Sequence, residues 1–298
     1  MRIVSVGEVL WDVFDHGEFF GGAPLNFSAT SRRLGNSVAL VTGLGSDERG
    51  RRALSMMNSL SLPTDFVQII PSQDTGVARV SVDSSGNARF VIPRPAAFDS
   101  LSVDDAVLSR IELWSPEWIY YGTLAQTEAT NAALLEQIFS RSPDAKGFYD
   151  MNLRDGHWDL PLVRRLSKLA TVIKVNETEA ETLFALAAPS EVFSLEKFCR
   201  AWSSEYGAEI ICVTLGGEGC AVFSGNSIDV FAGFSVEVVD TVGAGDAFAA
   251  AFLHGLHQDW SMARKARFAN ALGGIVASRA GAVPKWTIEE CLEMDFRS

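Results

Sequence analysis

The sequence predicts an α/β fold: a mostly parallel central sheet flanked by helices, with a small β-lid projecting from it. Three observations predict it. Short apolar runs recur at residues 3–6, 38–42, 118–121, 147–150, 172–175 and 210–215. Segments of helical periodicity stand among them, at 25–34, 131–140, 162–169 and 178–186. Short buried strands alternating with helices belong to a parallel sheet covered on both faces. The third observation is a local break in that alternation. Residues 77–82 and 88–92 are two alternating runs around Asp83-Ser84-Ser85-Gly86-Asn87, the pattern of a β-hairpin.

The elements follow in order. Ile3-Val4-Ser5-Val6 ends at Gly7 and reads as a buried strand. The segment 25–34 opens after Gly21-Gly22-Ala23-Pro24, where Pro24 suits a first helical turn. The hairpin lies between helical segments, so it is expected to stand off the main sheet, with Phe19-Phe20 able to pair with it. The lid is therefore assigned to residues 18–21 and 74–98. Along 131–140, Leu134, Leu135, Ile138 and Phe139 share one face. The last third holds two long helices, at 244–258 and 262–278. No linker interrupts the chain, so residues 1–298 read as one domain.

Charge narrows the function. Asp and Glu total 37 against 25 Lys and Arg, a net charge of −12. Basic residues run no further than pairs such as Arg51-Arg52 and Arg164-Arg165, which argues against a nucleic-acid partner. No apolar run reaches the roughly 18 residues of a membrane span. Glu8 and Asp12 interrupt any signal-peptide core, so a cytoplasmic protein is expected. Four cysteines and four histidines show no metal-ligand spacing. Cys212, in an apolar run, reads as a buried thiol.

Two motifs carry chemistry. Asp240-Thr241-Val242-Gly243-Ala244-Gly245-Asp246 precedes an apolar helix. A glycine turn at a helix N-terminus aims free N–H groups and the positive dipole end at an anion. Asp246 stands at the helix start, where the dipole favours its ionised form. It either caps the helix or removes a proton from an alcohol that attacks phosphorus. The second motif is Gly21-Gly22-Ala23-Pro24-Leu25-Asn26. Gly22 admits close backbone approach, and the Asn26 amide suits sugar hydroxyls. No GxxxxGK[ST] occurs, and Gly43-Leu44-Gly45-Ser46-Asp47-Glu48 lacks the third glycine of a dinucleotide fingerprint.

Together these motifs resemble the two signatures of the ribokinase-like (PfkB) carbohydrate kinases, at 21–35 and 240–255, and the resemblance extends over the whole chain. It implies the ribokinase-like fold and an ATP-dependent sugar kinase. It implies that Asp12 joins Gly22 and Asn26 in binding sugar. Phe98 reads either as a lid residue over the sugar or as a core residue anchoring the hairpin. Arg154, in Asp150-Met151-Asn152-Leu153-Arg154, becomes a phosphate or substrate clamp. Thr214, Gly216 and Gly219 would lie along ATP, and Asn270 and Gly274 along its purine. The same residues 214–219 also read as a strand-turn-strand hairpin. Asn176 and Glu179 fall where the family associates magnesium and its waters, although that spacing equally makes a capping box. Asp240, Val242 and Gly281 fall where many members hold a monovalent cation such as potassium. The expected mechanism makes Asp246 the base, with the amides of Gly243, Ala244, Gly245 and Asp246 as an anion hole.

The combination of Gly7-Glu8-Val9-Leu10-Trp11-Asp12, the segment 21–27 and Asp150-Met151-Asn152-Leu153-Arg154 most resembles bacterial fructokinases. A 2-keto-3-deoxygluconate kinase is the alternative within the family. A non-catalytic sugar-binding regulatory protein is the alternative outside it, and it would be expected to lose Asp246 or the glycine turn. Neither is lost. Lids in the family often pair, so the resemblance implies a homodimer through the lid.

Overall fold

The computed structural model describes residues 1–14, 17–82, 88–102 and 104–296. The chain begins with β1 (Arg2–Val6), β2 (Leu10–Phe14), β3 (Gly17–Gly21), α1 (Ala23–Arg33), β4 (Ser37–Leu44), α2 (Glu48–Ser59) and β5 (Val67–Ile69). It continues with β6 (Gly76–Val82), β7 (Ala88–Val91), α3 (Asp105–Trp114), β8 (Trp118–Tyr121), α4 (Ala129–Arg141), β9 (Lys146–Asp150) and α5 (Leu160–Ser167). Then come β10 (Val172–Asn176), α6 (Glu177–Ala187), α7 (Leu195–Tyr206), β11 (Ile210–Thr214), β12 (Gly219–Ser224) and β13 (Ser227–Ala232). Helices α8 (Ala244–His257), α9 (Met262–Ala277) and α10 (Ile288–Phe296) close the fold.

The central sheet has the order β13-β12-β11-β10-β9-β8-β1-β4-β5. From β11 to β5 every pairing is parallel, while β12 and β13 return antiparallel. Successive side chains in a strand point to opposite faces. Val4 and Val6 therefore enter one core with Tyr121, Ile173 and Val175, beneath α3 to α7. Ile3 enters the other with Tyr120, Phe148 and Val172, against α1, α8 and α9. Both faces are covered, which is why apolar residues dominate these strands.

A second sheet, ordered β3-β2-β6-β7, is the lid. Residues 10–14, outside the expected lid segments 18–21 and 74–98, also form a lid strand. It pairs antiparallel with β3 and parallel with β6, setting Asp12 opposite both Phe19 and Ala78. The alternation of Leu10-Trp11-Asp12-Val13 explains the placement. Trp11 and Val13 pack against the side of the fold, while Leu10 and Asp12 turn to the opposite side, toward a cavity. The expected hairpin turn at 83–87 lies outside the described residues. Among the described residues, no helix is long and apolar enough to cross a membrane.

Candidate functional site

A cavity of about 340 Å³ opens at the C-terminal edge of the parallel strands, between the lid and the start of α8. Ligands of open parallel sheets bind at this edge. Asp12, Gly22, Asn26, Arg154, Gly243, Gly245 and Asp246 all line it, as expected. Leu10, Ala78 and Ile92 supply an apolar wall from the lid side. Asn152, with φ of 40°, turns the chain after β9 and carries Arg154 back to the cavity.

Asp246 is the best-positioned group. Gly243 is the N-cap of α8, with φ of 80°. A Cβ there would meet the Ala282 carbonyl oxygen at 2.2 Å, so only glycine fits this turn. Asp246 is the third residue of the helix, and its Oδ2 accepts a hydrogen bond from Asn26 Nδ2 at 2.8 Å. That bond joins residues 220 positions apart. Asn26 thus orients Asp246, and its own Oδ1, buried and without a protein partner, still faces the site. Burial, reinforced by Asp150, raises the Asp246 carboxyl to about 6, against the pull of Lys174, Asn26 and Arg154. A carboxyl near 6 still ionises at neutral pH and accepts a proton well.

One anion-hole assignment changes. The Ala244 N–H already donates to the Thr241 carbonyl at 3.2 Å. The amides of Gly245 and Asp246, in the first turn, have no acceptor inside the helix. The amides left to face an anion at this turn are those of Gly243, Gly245 and Asp246.

Sequence reasoning missed Lys174. Its Nζ donates to Asp150 Oδ1 at 2.9 Å and Oδ2 at 3.2 Å, deep in the site. The Tyr120 hydroxyl donates to Asp150 Oδ2 at 3.1 Å. Asp150 thus pairs with Lys174, and Arg154 lines the cavity. Lys174 keeps its charge, because Asp150 and Asp246 outweigh the desolvation that opposes it. Nζ lies 3.1 Å from the point a Cβ of Gly245 would occupy, so the cation sits against the glycine turn. The signal was available: a lysine inside the apolar strand Val172–Asn176 must have a buried partner. Glu8, another cavity residue, was also missed as a site group. Burial raises its carboxyl to about 7, and that of Asp12 to about 6.

Phe98 corrects the substrate-binding assignment in favour of its core alternative: it is wholly buried with Leu10, Ala78, Ile92 and Leu124, one layer behind the cavity wall. A Cβ on Gly76 would strike its ring at 2.6 Å, so the ring wedges under the lid strand. Asn176 and Glu179 form the capping box of α6. Glu179 accepts from Leu153 N at 2.7 Å and Asn176 N at 2.9 Å, so each carboxylate oxygen is engaged.

A neighbouring cavity of about 230 Å³ shares Thr214, Thr241 and Gly245 with the first. Thr214, Gly216, Gly219, Asn270 and Gly274 line it. The hairpin reading of 214–219 holds, since β11 and β12 pair antiparallel across this turn. Gly216 faces open space, whereas a Cβ on Gly219 would meet the Phe231 carbonyl at 2.1 Å. Gly219 is therefore glycine for strand approach. Asn270 Nδ2 donates to the Phe231 and Ala232 carbonyls, both at 3.1 Å, and so fastens the wall. The Asp240 carboxylate accepts from Val242 N and Gly281 N, each at 3.0 Å, clasping two loops.

A model of the pfkB family carbohydrate kinases matches residues 4–288. Fructokinase-1 of Zea mays is 28% identical over 284 residues, covering 90% of this chain and 85% of its own. The fold is shared with an ATP-bound fructokinase from Xylella fastidiosa at a TM-score of 0.85 and 24% identity, covering 99% and 98% of the two chains. It is also shared with a Vibrio cholerae O395 fructokinase in a fructose-, ADP- and potassium-bound form, at a TM-score of 0.84 and 23% identity, covering 98% and 97%.

Proposed function

The chain belongs to the pfkB family of carbohydrate kinases, and on that premise we propose that it transfers the γ-phosphoryl group of ATP to the 6-hydroxyl of fructose. The observation that carries the reading is the Asp246 carboxyl, held by Asn26 at 2.8 Å beside a glycine turn at a helix N-terminus. Asp246 takes the proton of the attacking hydroxyl. The amides of Gly243, Gly245 and Asp246, with Lys174 behind them and Arg154 across the cavity, receive the charge of the transferring group. Phosphoryl transfer depends mainly on such positioning and electrostatics. Asp12, Gly22 and Asn26 hold the sugar, and the lid excludes water that would compete as acceptor.

ATP fits the adjoining trough, where Gly216 and Gly217 leave room for a close ligand. When bound, magnesium would screen the phosphates. Each Glu179 oxygen accepts one backbone amide and keeps a lone pair, so Asn176 and Glu179 would hold the ion through its waters. The loop clasp at Asp240, Val242 and Gly281 is the proposed seat of a monovalent cation. The reading includes the cytoplasm as the compartment, in keeping with four buried free thiols. It also includes a single domain and a homodimer formed through the lid, whose Phe19 and Val91 are exposed.

The test is ADP release by the purified protein over a panel of sugars, with wild type and Asp12→Ala. Fructose should give the highest kcat/KM, and Asp12→Ala should lower it about ten- to a hundredfold through KM, with KM for ATP unchanged. A higher kcat/KM for 2-keto-3-deoxygluconate refutes the fructose assignment. ADP release by no sugar refutes the reading as a whole.

A further inference from the structure

Glu8 follows β1 and has no part in the chemistry above. Its side chain is only 4% exposed and lines the 340 Å³ cavity beside Asp12, Asn26 and Asp246. Its Oε2 is shut from solvent and has no hydrogen-bond partner in the protein. A buried acceptor left unpaired is a net loss for the fold, which a bound ligand can recover.

The backbone holds this carboxyl in place. Gly7 packs so closely on α1 that a Cβ there would stand 2.6 Å from Pro24 Cγ. The Glu8 carbonyl oxygen lies 2.6 Å from the point a Cβ of Gly22 would occupy. The end of β1 is thus locked against the first turn of α1, and side chain 8 has little freedom to leave the cavity. The charged groups around it are Arg154, which attracts it, and Asp246, which repels it; its own charge in turn raises the Tyr120 hydroxyl. Burial outweighs the Arg154 attraction and the amides of Glu8 and Ala23, lifting the carboxyl to about 7. Such a group both donates and accepts near neutral pH. A sugar hydroxyl does the same and can pair with either form.

We propose that Glu8 is a further sugar-binding residue that grips one hydroxyl of the substrate and so sets which sugars are accepted. This rests on the sugar-kinase reading. A site built to pair a hydroxyl rejects an analogue lacking it far more strongly than an apolar pocket rejects a missing methylene.

The experiment measures kcat/KM for fructose and its monodeoxy analogues, altered at positions other than carbon 6, with wild type, Glu8→Ala and the isosteric Glu8→Gln. Glu8→Ala should lower kcat/KM for fructose about ten- to a hundredfold, mainly through KM, with KM for ATP within about twofold. One deoxy analogue, already poor with wild type, should lose nothing further in either variant. Glu8→Gln, which keeps the shape, covers the case in which Glu8→Ala fails to fold. Equal losses on every sugar would assign Glu8 to structure alone, and unchanged fructose kinetics would leave it no role; either result overturns the proposal. Wild type inactive on every sugar overturns the kinase reading instead, and the Glu8 assignment falls with it.

Discussion

Replacing Asp246 by Asn should slow the enzyme and stabilise the fold together. The carboxyl rises from its ordinary 3.8 to about 6, chiefly because it is buried. At 1.36 kcal/mol per pH unit, that costs the ionised folded protein about 3 kcal/mol. The sign follows from linkage. The folded carboxyl binds its proton more tightly than the unfolded one, so the relative stability it contributes is present at low pH and is lost as pH rises through about 6. Asn keeps the shape and never ionises. The variant should therefore melt several degrees higher at pH 8, and the advantage should shrink as pH falls toward 4. Over the same substitution, loss of a positioned base should lower kcat about 10²–10⁴-fold, with KM for ATP little changed. Calorimetry at pH 4 and 8 with steady-state kinetics reads both effects. A variant that keeps more than about a third of wild-type kcat removes Asp246 from the base role. A melting temperature at pH 8 no higher than wild type refutes the burial penalty.

Wild-type kcat/KM for fructose should fall on acidification with a midpoint near 6, because Asp246 must be ionised to accept a proton; a profile flat between pH 5 and pH 8 contradicts this. Lys174→Met leaves Asp150 charged and buried, which should cost about 3–5 kcal/mol in urea unfolding, and adding Asp150→Leu should recover part of it. An unchanged urea midpoint in the single variant would show that the pair contributes nothing. Amides of β2 and β6 should exchange more slowly with deuterium when fructose is bound, since Asp12 and Ala78 line the cavity from these strands. Equal protection with and without sugar would make the small sheet a fixed wall.

Some of this molecule is legible in local sequence and some is not. Apolar runs such as Ile3-Val4-Ser5-Val6 marked the central strands, because burial on both faces leaves no polar alternation to hide them. The turn at 240–246 was equally legible, since glycine spacing and a helix start are local properties. Polar helices were harder: α2 buries only Gly50, Ala53 and Met57, too narrow a stripe to stand out. The membership of 10–14 in the lid depended on pairing with β3 and β6, which no local period reports. Phe98 carries the same apolar pattern whether it faces sugar or packs beneath the lid, and only the contact with Gly76 decides. Composition along the chain determined the architecture and the anion turn. The tertiary structure decided which charges meet: Asn26 with Asp246 across 220 residues, and Lys174 with Asp150 across 24. Such pairs form because folding buries each group where one partner is within reach, and that distance exists only once the chain has closed.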